Sequence, residues 1–134
     1  MATYLLEIVT PEKKLLSEEV ASTVLPGDGG YFGVLANHAP LIASLGIGVL
    51  EYRGEDGQIK LAALHEGFAE MLDNHLIVLA DHAELGEDID QQRALDARKR
   101  AEGRLKAPPA ETDASRAQTA MKRAAARLRA SGRG

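Results

Sequence analysis

The pattern of hydrophobic and polar positions divides the chain into two parts with different periodicity. Up to residue 84 the apolar residues alternate with polar ones or form short runs, as in 3–10, 59–72 and 75–81. Such short or alternating runs are typical of β-strands with one or both faces buried. Turn-forming residues separate the runs at Gly54–Gly57 and at Asp73–Asn74. Short strands separated by turns predict an antiparallel sandwich or barrel.

Beyond residue 84 the apolar positions recur with the spacing of a helix. Pro108 and Pro109 cannot continue a helix, so the pattern predicts two helices joined by a short turn, an antiparallel hairpin. We expect Asp88 to cap the first helix because Gln91 follows it at capping-box spacing. The predicted apolar faces are mostly alanine: Ala94, Ala97, Ala101 and Leu105, then Ala114, Ala117, Met121, Ala124 and Leu128. Because these side chains are small, we expect the stability of the hairpin to depend on the surface that it packs against.

The balance of charge changes at the same place. Residues 1–84 contain 4 Lys and Arg against 13 Asp and Glu, whereas residues 85–134 contain 12 against 7. All the aromatic residues lie in the first part. The predicted fold class is therefore α+β, with an N-terminal antiparallel β-sandwich in residues 1–84 and a C-terminal antiparallel two-helix hairpin in residues 85–134.

The overall composition excludes several classes of protein. With 134 residues, 45% of them apolar, and a net charge of −4, the chain is expected to be globular. The absence of cysteine excludes disulfides and thiolate metal sites. No apolar run approaches the ~20 residues that a membrane helix needs, and no secretion leader opens the sequence, so we expect neither a membrane span nor export.

The segment PGDGGYFGVLANHAP, residues 26–40, raises the question of a catalytic or phosphate-binding loop. A phosphate loop needs a lysine and a serine or threonine after its last glycine, and the dinucleotide pattern fails at Phe32. His38 would need a partner, but the four histidines lack metal-ligand spacing and Ser44 lacks the first glycine of a nucleophile elbow. A run of turns, with His38 bonding the backbone or a partner, is favoured over a small hydrolase.

Several segments together resemble the epsilon subunit of bacterial F-type ATP synthases. They are PGDGGYFGVLANHAPL, LGIGVL, EGFAEMLDNHLIVLADHAE and DIDQQRA, and the resemblance extends over essentially the whole chain. It implies a sandwich of roughly ten strands and a non-catalytic subunit of the central stalk. The implied partners are the gamma subunit, the c-ring and the alpha and beta catalytic subunits, at the cytoplasmic face of the bacterial cell membrane and peripheral to it. It also implies that the extended hairpin inhibits ATP hydrolysis and the folded hairpin permits it.

The same resemblance implies which loop residues meet the c-ring. The exposed part of the glycine segment is the candidate contact, and we expect Tyr31, Phe32 and His38 to contribute to it. Tyr31 and Phe32 depart from the small or acidic residues found in commoner family members. Neither a catalytic residue nor a metal site is predicted, and no cofactor is required.

Arginines line the predicted hairpin at helical spacing: Arg93, Arg100 and Arg104 on the first helix, and Arg116, Arg123 and Arg127 on the second. Two such stripes brought together would repel each other unless an anion or an acidic partner lies between them, and guanidinium groups suit phosphate because they give paired bonds to it. The alternative is a solvated face whose charge is partly balanced by local ion pairs of Asp90 with Arg93 and of Asp96 with Arg100. A nucleic-acid-binding hairpin is a further alternative, although the helices lack aromatic residues for stacking.

The resemblance also implies a regulatory ATP site on the folded hairpin. Some bacterial epsilon subunits bind ATP through an Ile/Leu-Asp-x-x-Arg-Ala motif. In this sequence Ile89 and Ala94 would flank the adenine, and Asp90 and Glu84 would accept hydrogen bonds from its amino group. The residues that would meet the phosphates are Arg93, Arg100, Arg123 and Arg127.

Overall fold

The computed structural model describes residues 2–106 and 111–132, and for residues 111–114 it describes the backbone alone. Its strands are β1 (Tyr4–Val9), β2 (Lys14–Gly27), β3 (Gly30–Leu35), β4 (Leu41–Gly54), β5 (Ile59–Leu72) and β6 (His75–Leu85). A 3₁₀ turn (Gly86–Asp88) leads into the helices α1 (Gln91–Lys106) and α2 (Glu111–Ala130). The predicted turn at Pro108 and Pro109 lies outside the described residues. Of the described helices, neither is long and apolar enough to cross a membrane.

The strands form one sheet that curls back on itself. Their order is β1-β6-β5-β4-β2-β3, and β1 also pairs with β2, which closes the sheet. Neighbours are antiparallel except for β1 and β6, which run parallel over Leu5–Val9. The predicted α+β class, a β-sandwich followed by a helical hairpin, is confirmed.

In the longer strands β2, β4, β5 and β6 the positions that face the core change between even and odd part-way along, which marks a bend. In β5, Ala62 and Leu64 point into the core before the bend, and Ala69 and Met71 point into it afterwards. The bend lies where Glu66 and Gly67 have φ values of 64° and 152°. The described residues thus form six strands rather than roughly ten, because each bent strand supplies a segment to both layers.

The core lies between the layers and contains a buried hydrogen-bonded group centred on Tyr4. The hydroxyl of Tyr4 donates to the carbonyl of Val34 at 2.8 Å and lies 2.6 Å from the hydroxyl oxygen of Thr23. Both side chains are about 99% buried, so these bonds satisfy groups that would otherwise be costly to bury. This group joins β1, β2 and β3. The apolar side chains around it include Leu6, Ile8, Val20, Leu25, Leu50, Leu64, Met71, Leu76 and Val78.

The hairpin lies on the outer face of β4 and β5, with α2 against the strands and α1 packed on α2. A second apolar cluster joins it to the sandwich: Val49 and Ala63 from the strands, with Ile89, Ala94, Ala126, Leu128 and Ala130 from the hairpin. Alanine side chains allow the helix backbone to approach the sheet closely. The predicted apolar face is buried at Ala101, Ala117 and Ala124 as well, while the side chain of Ala114 lies outside the described residues.

A helix capped by Asp88 would begin at residue 89, but α1 begins two residues later, at Gln91. Asp88 belongs to the 3₁₀ turn, and it is the Asp90 carboxylate that accepts a hydrogen bond from the Arg93 N–H, at 3.0 Å. The prediction of Asp88 as the cap is wrong. Ile89 is buried against the sandwich with extended backbone angles, φ −81° and ψ 127°, so the helix cannot start before it.

The two ends of the hairpin meet beside Gly86. The side-chain amide of Gln91 donates to the carbonyl of Ser131 at 3.0 Å, which ties the start of α1 to the residue after α2. The carbonyl of Ala130 lies so close to Gly86 that an added Cβ there would be 2.2 Å from its oxygen. Glycine at position 86 is therefore required for the docked arrangement.

Candidate nucleotide-binding cleft

A cleft of about 570 Å³ opens between the hairpin and the sandwich. The middle of β5, at His65, and the last part of β6, at His82 and Glu84, form its floor, and α1 and α2 form its walls. Three alanines, Ala97, Ala120 and Ala124, leave the space between the walls open. The polar and charged side chains that line it are His65, His82, Glu84, Arg93, Arg123 and Arg127.

One ion pair fixes the inner side of this cleft. The Arg127 Nε atom lies 2.8 Å from Glu84 Oε1, and Arg127 Nη2 donates to Glu84 Oε2 at 3.2 Å. The side chains are only 18% and 25% exposed, and a two-point contact of this kind holds the guanidinium plane in position. Among the described residues Arg93 and Arg123 take part in no ion pair, so the cleft keeps an excess of positive charge that suits an anion.

Half of the residues predicted for the ATP site line this cleft. They are Glu84 on β6, Arg93 on α1, and Arg123 and Arg127 on α2. The two helices contribute arginines to one cleft only because the hairpin is folded and docked. Arg100 is exposed on α1 and is not among the lining residues.

The other three residues predicted for the ATP site make contacts within the protein itself. Asp90 caps α1 through the Arg93 N–H. Ile89 and Ala94 are 8% and 0% exposed, and both belong to the apolar cluster that docks the hairpin. Their roles toward adenine stay predictions.

The local ion pairs expected on α1 are replaced by other contacts. Asp96 accepts a hydrogen bond from the Gln92 side chain at 3.0 Å, and no ion pair with Arg100 forms within the described residues. An ion pair at 3.7 Å joins Arg98 and Glu102 instead. The local pairing expected to balance the arginines is therefore absent from α1 as far as it is described.

The two histidines on the floor of the cleft were not predicted as site residues. His65 on β5 pairs with His82 on β6, and their ring centres are 5.1 Å apart. A signal for this pair exists in the sequence. The two-residue turn Asp73–Asn74 fixes the register of the β5–β6 hairpin, and that register places residues 65 and 82 opposite each other.

Comparison with known proteins identifies the family. The sequence profile described as "ATP synthase, Delta/Epsilon chain, beta-sandwich domain" matches residues 3–86, and the one described as "ATP synthase, Delta/Epsilon chain, long alpha-helix domain" matches residues 87–132. The chain belongs to the ATP synthase delta/epsilon chain family. This confirms the resemblance seen in the sequence and the prediction of a non-catalytic subunit of the ATP synthase stalk.

Individual epsilon chains are similar over nearly their whole length. The ATP synthase epsilon chain of Symbiobacterium thermophilum is 47% identical over 133 residues, covering 98% of this chain and 95% of that one. That of Moorella thermoacetica is 46% identical over 132 residues and 98% of both chains. A chain in the OSCP/F1/c-ring structure of the Euglena gracilis mitochondrial ATP synthase has a TM-score of 0.83 at 25% identity, covering 98% of this chain and 82% of that one.

In this epsilon-family chain the residues predicted to meet the c-ring do not form one group. Tyr31 is half exposed, its hydroxyl accepts the Val49 N–H at 3.1 Å, and its ring lies 5.8 Å from the Arg129 guanidinium carbon. Phe32 packs against the core. His38 lies beyond the other end of β3, exposed, with its Nδ1 2.7 Å from the carbonyl oxygen of Ala39. Tyr31 thus contacts the docked hairpin.

An apolar surface lies on the outer face of the sheet beyond the bend, where Phe68 adjoins Thr119 and Lys122 of α2. Phe68 on β5 is directly opposite Leu79 on β6, and they are 58% and 53% exposed. Ile42 on β4 and Leu72 on β5 are also largely exposed on this outer side. Large exposed apolar side chains grouped in this way are typical of a surface that contacts another protein. We call Ile42, Phe68, Leu72 and Leu79 the apolar surface.

Proposed function

We propose that the chain is the ATP-sensing regulatory subunit of the ATP synthase rotor. In this proposal the sandwich attaches the chain to the stalk, and the hairpin inhibits ATP hydrolysis when it extends. ATP bound in the cleft holds the hairpin in the docked arrangement, in which hydrolysis is permitted. The observation that carries the proposal is the convergence of Arg93, Arg123 and Arg127 from two helices on one cleft.

The geometry explains why a ligand in this cleft can act as a switch. A ligand shifts an equilibrium between two conformations only if it binds one of them better. Extension of the hairpin separates the arginines of α1 and α2 from each other and from Glu84 on the sandwich. Phosphate groups that contact arginines of both helices therefore bind the docked form better. They stabilise it by the difference between the binding free energies of the docked and extended forms.

The buried motif residues support the site indirectly in the docked form. Ile89 and Ala94 pack against Val49 and Ala63, and this packing holds the first turn of α1 on the sandwich. Asp90 caps the same turn, which sets the direction in which α1 leaves the sheet. Arg93 lies in that turn and faces the cleft. Small changes in this packing should therefore weaken ATP binding by displacing Arg93.

Removal of Arg127 tests the site. We expect Arg127→Ala to lower ATP affinity by one to two decades, because a charge-assisted bond contributes ~1.5–3 kcal/mol. The loss of the ion pair also leaves the Glu84 carboxylate unbalanced in the cleft, where it repels phosphate. The measurement is ATP titration of the full chain by calorimetry, followed by ATPase assays of the reconstituted complex, in which inhibition should persist to higher ATP concentration.

Arg104→Ala is the matched control. Arg104 is exposed near the end of α1, and it is not among the residues that line the cleft. The same charge is removed from the same hairpin, so a general electrostatic effect would appear in both variants. Equal ATP affinity in the wild type, Arg127→Ala and Arg104→Ala would overturn the nucleotide site and leave the hairpin a protein-binding element.

We further propose that the apolar surface is the attachment site for the gamma subunit, at the cytoplasmic face of the bacterial membrane. The docked hairpin covers a different part of the same sheet face, so this surface stays accessible in the docked form. The c-ring contact of Tyr31, Phe32 and His38 stays a separate proposal. Of the three, His38 lies on the same end of the sheet as Ile42 and Leu72, next to the Asp73–Asn74 turn, because Asn37 and Asn74 are hydrogen-bonded to each other.

A charge on the apolar surface should weaken attachment. We expect Phe68→Asp to reduce the affinity for the gamma subunit by at least tenfold, because a carboxylate would be desolvated at the interface. Ile59→Asp is the control, since Ile59 is also 50% exposed on β5 but lies on the far side of the bend. Binding of both variants to purified gamma subunit would be measured by calorimetry. An equal loss in both, or none in Phe68→Asp, would contradict this assignment.

A further inference from the structure

His82 shares the Glu84 carboxylate with Arg127. Its Nε2 atom lies 3.8 Å from Glu84 Oε1, the same oxygen that lies 2.8 Å from Arg127 Nε. The imidazole and the guanidinium are therefore neighbours on the inner side of the cleft, and both belong to its lining. A phosphate group held by Arg127 inside the cleft would have the His82 ring beside it.

Exposure separates His82 from His65, the other histidine of the cleft. The side chain of His82 is 58% exposed, whereas His65 is 9% exposed and its Nε2 atom is enclosed by the protein. Burial, with smaller contributions from His82 and Arg123, lowers the pKa of His65 to about 4, so His65 is neutral at neutral pH. Of the two rings, which lie 5.1 Å apart, His82 is thus the one that a ligand can reach and that solvent can protonate.

The charged and titratable groups around His82 come from all the elements packed against it. Those that line the cleft or an adjoining cavity of about 420 Å³ together with His82 are His65 and Glu66 on β5, Asp81 and Glu84 on β6, Arg93 on α1, and Arg123 and Arg127 on α2. Three carboxylates and three guanidinium groups thus face the same space, and their charges offset each other. The phosphates of a nucleotide would add negative charge to this surrounding, and nearby negative charge favours the imidazolium form of a histidine.

We propose that His82 is a further phosphate-binding residue of the cleft, which donates to a phosphate oxygen as imidazolium beside Arg127. This inference rests on the proposed ATP site and gives it a regulatory property. Because the charged contact requires a bound proton, ATP binding takes up a proton. The contribution of His82 is complete where histidine is protonated and disappears as the pH rises through the range in which histidine titrates. At a given ATP concentration the docked hairpin is therefore more populated at acidic pH.

The test compares ATP affinity at about pH 6 and about pH 8, between which histidine changes its charge. We expect His82→Gln to bind ATP about tenfold more weakly than the wild type at the lower pH and nearly as well at the higher pH, since glutamine keeps a donor but carries no charge. The terminal phosphate of ATP also titrates in this range, but equally for every variant, so the ratio between variants isolates His82. His82→Arg, which is always charged, should bind ATP more tightly than the wild type at about pH 8.

Proton uptake gives a second measurement that a merely structural role of His82 would not change. Calorimetry of the full chain in buffers of different ionisation enthalpy measures affinity and proton uptake together, and the wild type should take up more protons per ATP than His82→Gln. His38→Gln is the matched control, because it is the same substitution at an exposed turn that does not line the cleft. It should match the wild type in both measurements. Thermal unfolding would verify that the variants are folded.

The outcomes separate this inference from the proposed ATP site. A loss of equal size at both pH values in His82→Gln, with unchanged proton uptake, would overturn the phosphate contact. Unchanged affinity at both pH values would overturn it as well, and so would a His82→Arg variant that binds no better than His82→Gln at about pH 8. In these cases the wild type still binds ATP, and the arginine cleft stands without His82. If the wild type bound no ATP at either pH, the nucleotide site itself would be wrong, and the role of His82 with it.

Discussion

Gly86→Ala is expected to release the hairpin from the sandwich while the sandwich stays folded. A Cβ at position 86 would lie 2.2 Å from the carbonyl oxygen of Ala130 and 2.9 Å from that of Leu61. Both are backbone atoms, so no side-chain rotation relieves the contacts. The closer one, to Ala130, is relieved only when the end of α2 moves away. Overpacking of this kind costs ~1–3 kcal/mol. Because the contact with Ala130 exists in the docked form alone, the ratio of docked to released hairpins should fall by about one to two decades.

The consequence for function follows from the proposed coupling between docking and ATP binding. Since only docked chains bind ATP in this proposal, the apparent ATP affinity is proportional to the fraction of chains that are docked. In the reconstituted complex, inhibition of ATP hydrolysis should become stronger and require more ATP for relief. Fluorescence energy transfer between a dye on β4 and a dye at the end of α2 would measure docking directly.

Gly103→Ala is the control for this experiment. Gly103 is exposed in the interior of α1, and an added Cβ there meets no atom within 4 Å. Alanine should stabilise α1 by about 1 kcal/mol without disturbing the contact to the sandwich. If Gly86→Ala and Gly103→Ala docked equally well, the close contact at Gly86 would not control the position of the hairpin.

Gly67→Ala is expected to abolish the native sandwich. Gly67 has a φ of 152°, which other residues rarely adopt, and an added Cβ would lie 2.0 Å from the Leu79 carbonyl oxygen and 2.8 Å from the Ala80 Cα. The neighbouring strand β6 would have to separate from β5 at the bend. Backbone strain and overpacking together place the loss at ~4 kcal/mol or more, a large part of the stability of such a domain.

Urea unfolding followed by circular dichroism would measure this loss. Gly29→Ala is the matched control, because Gly29 lies in the turn between β2 and β3 and an added Cβ there meets no atom within 4 Å. We expect its unfolding midpoint to be close to that of the wild type. A cooperative transition for Gly67→Ala near the wild-type midpoint would show that the bend tolerates a side chain.

Part of the candidate site is predictable from local sequence alone. His82 and Glu84 are two residues apart on β6, so alternation places them on one face, and the Asp73–Asn74 turn brings His65 opposite His82. Arg123 and Arg127 are one turn apart on α2, so they also share a face. Each of these relations follows from the period of one element or from the register of one hairpin.

The bends of the long strands were not predictable in this way. The burial of β5 residues changes from even to odd positions at Glu66, a residue that seldom adopts the left-handed conformation found here. The close approach of β6 to Gly67 depends on which strand pairs with β5 and in which register, and no local pattern of the sequence shows it. Consequently the extra strands expected from the resemblance are segments of bent strands.

The sequence by itself determined the order of strands and helices, the place where one gives way to the other, and the family, because these depend on local periodicity and on specific motifs. The tertiary structure alone decided which face of the sheet the hairpin covers. That choice buries Ile89 and Ala94, turns Arg93 but not Arg100 toward the cleft, and moves the cap from Asp88 to Asp90. Docking depends on apolar contacts of strand residues 49 and 63 with hairpin residues far along the chain, and no local pattern specifies which of several alanine-rich faces makes them.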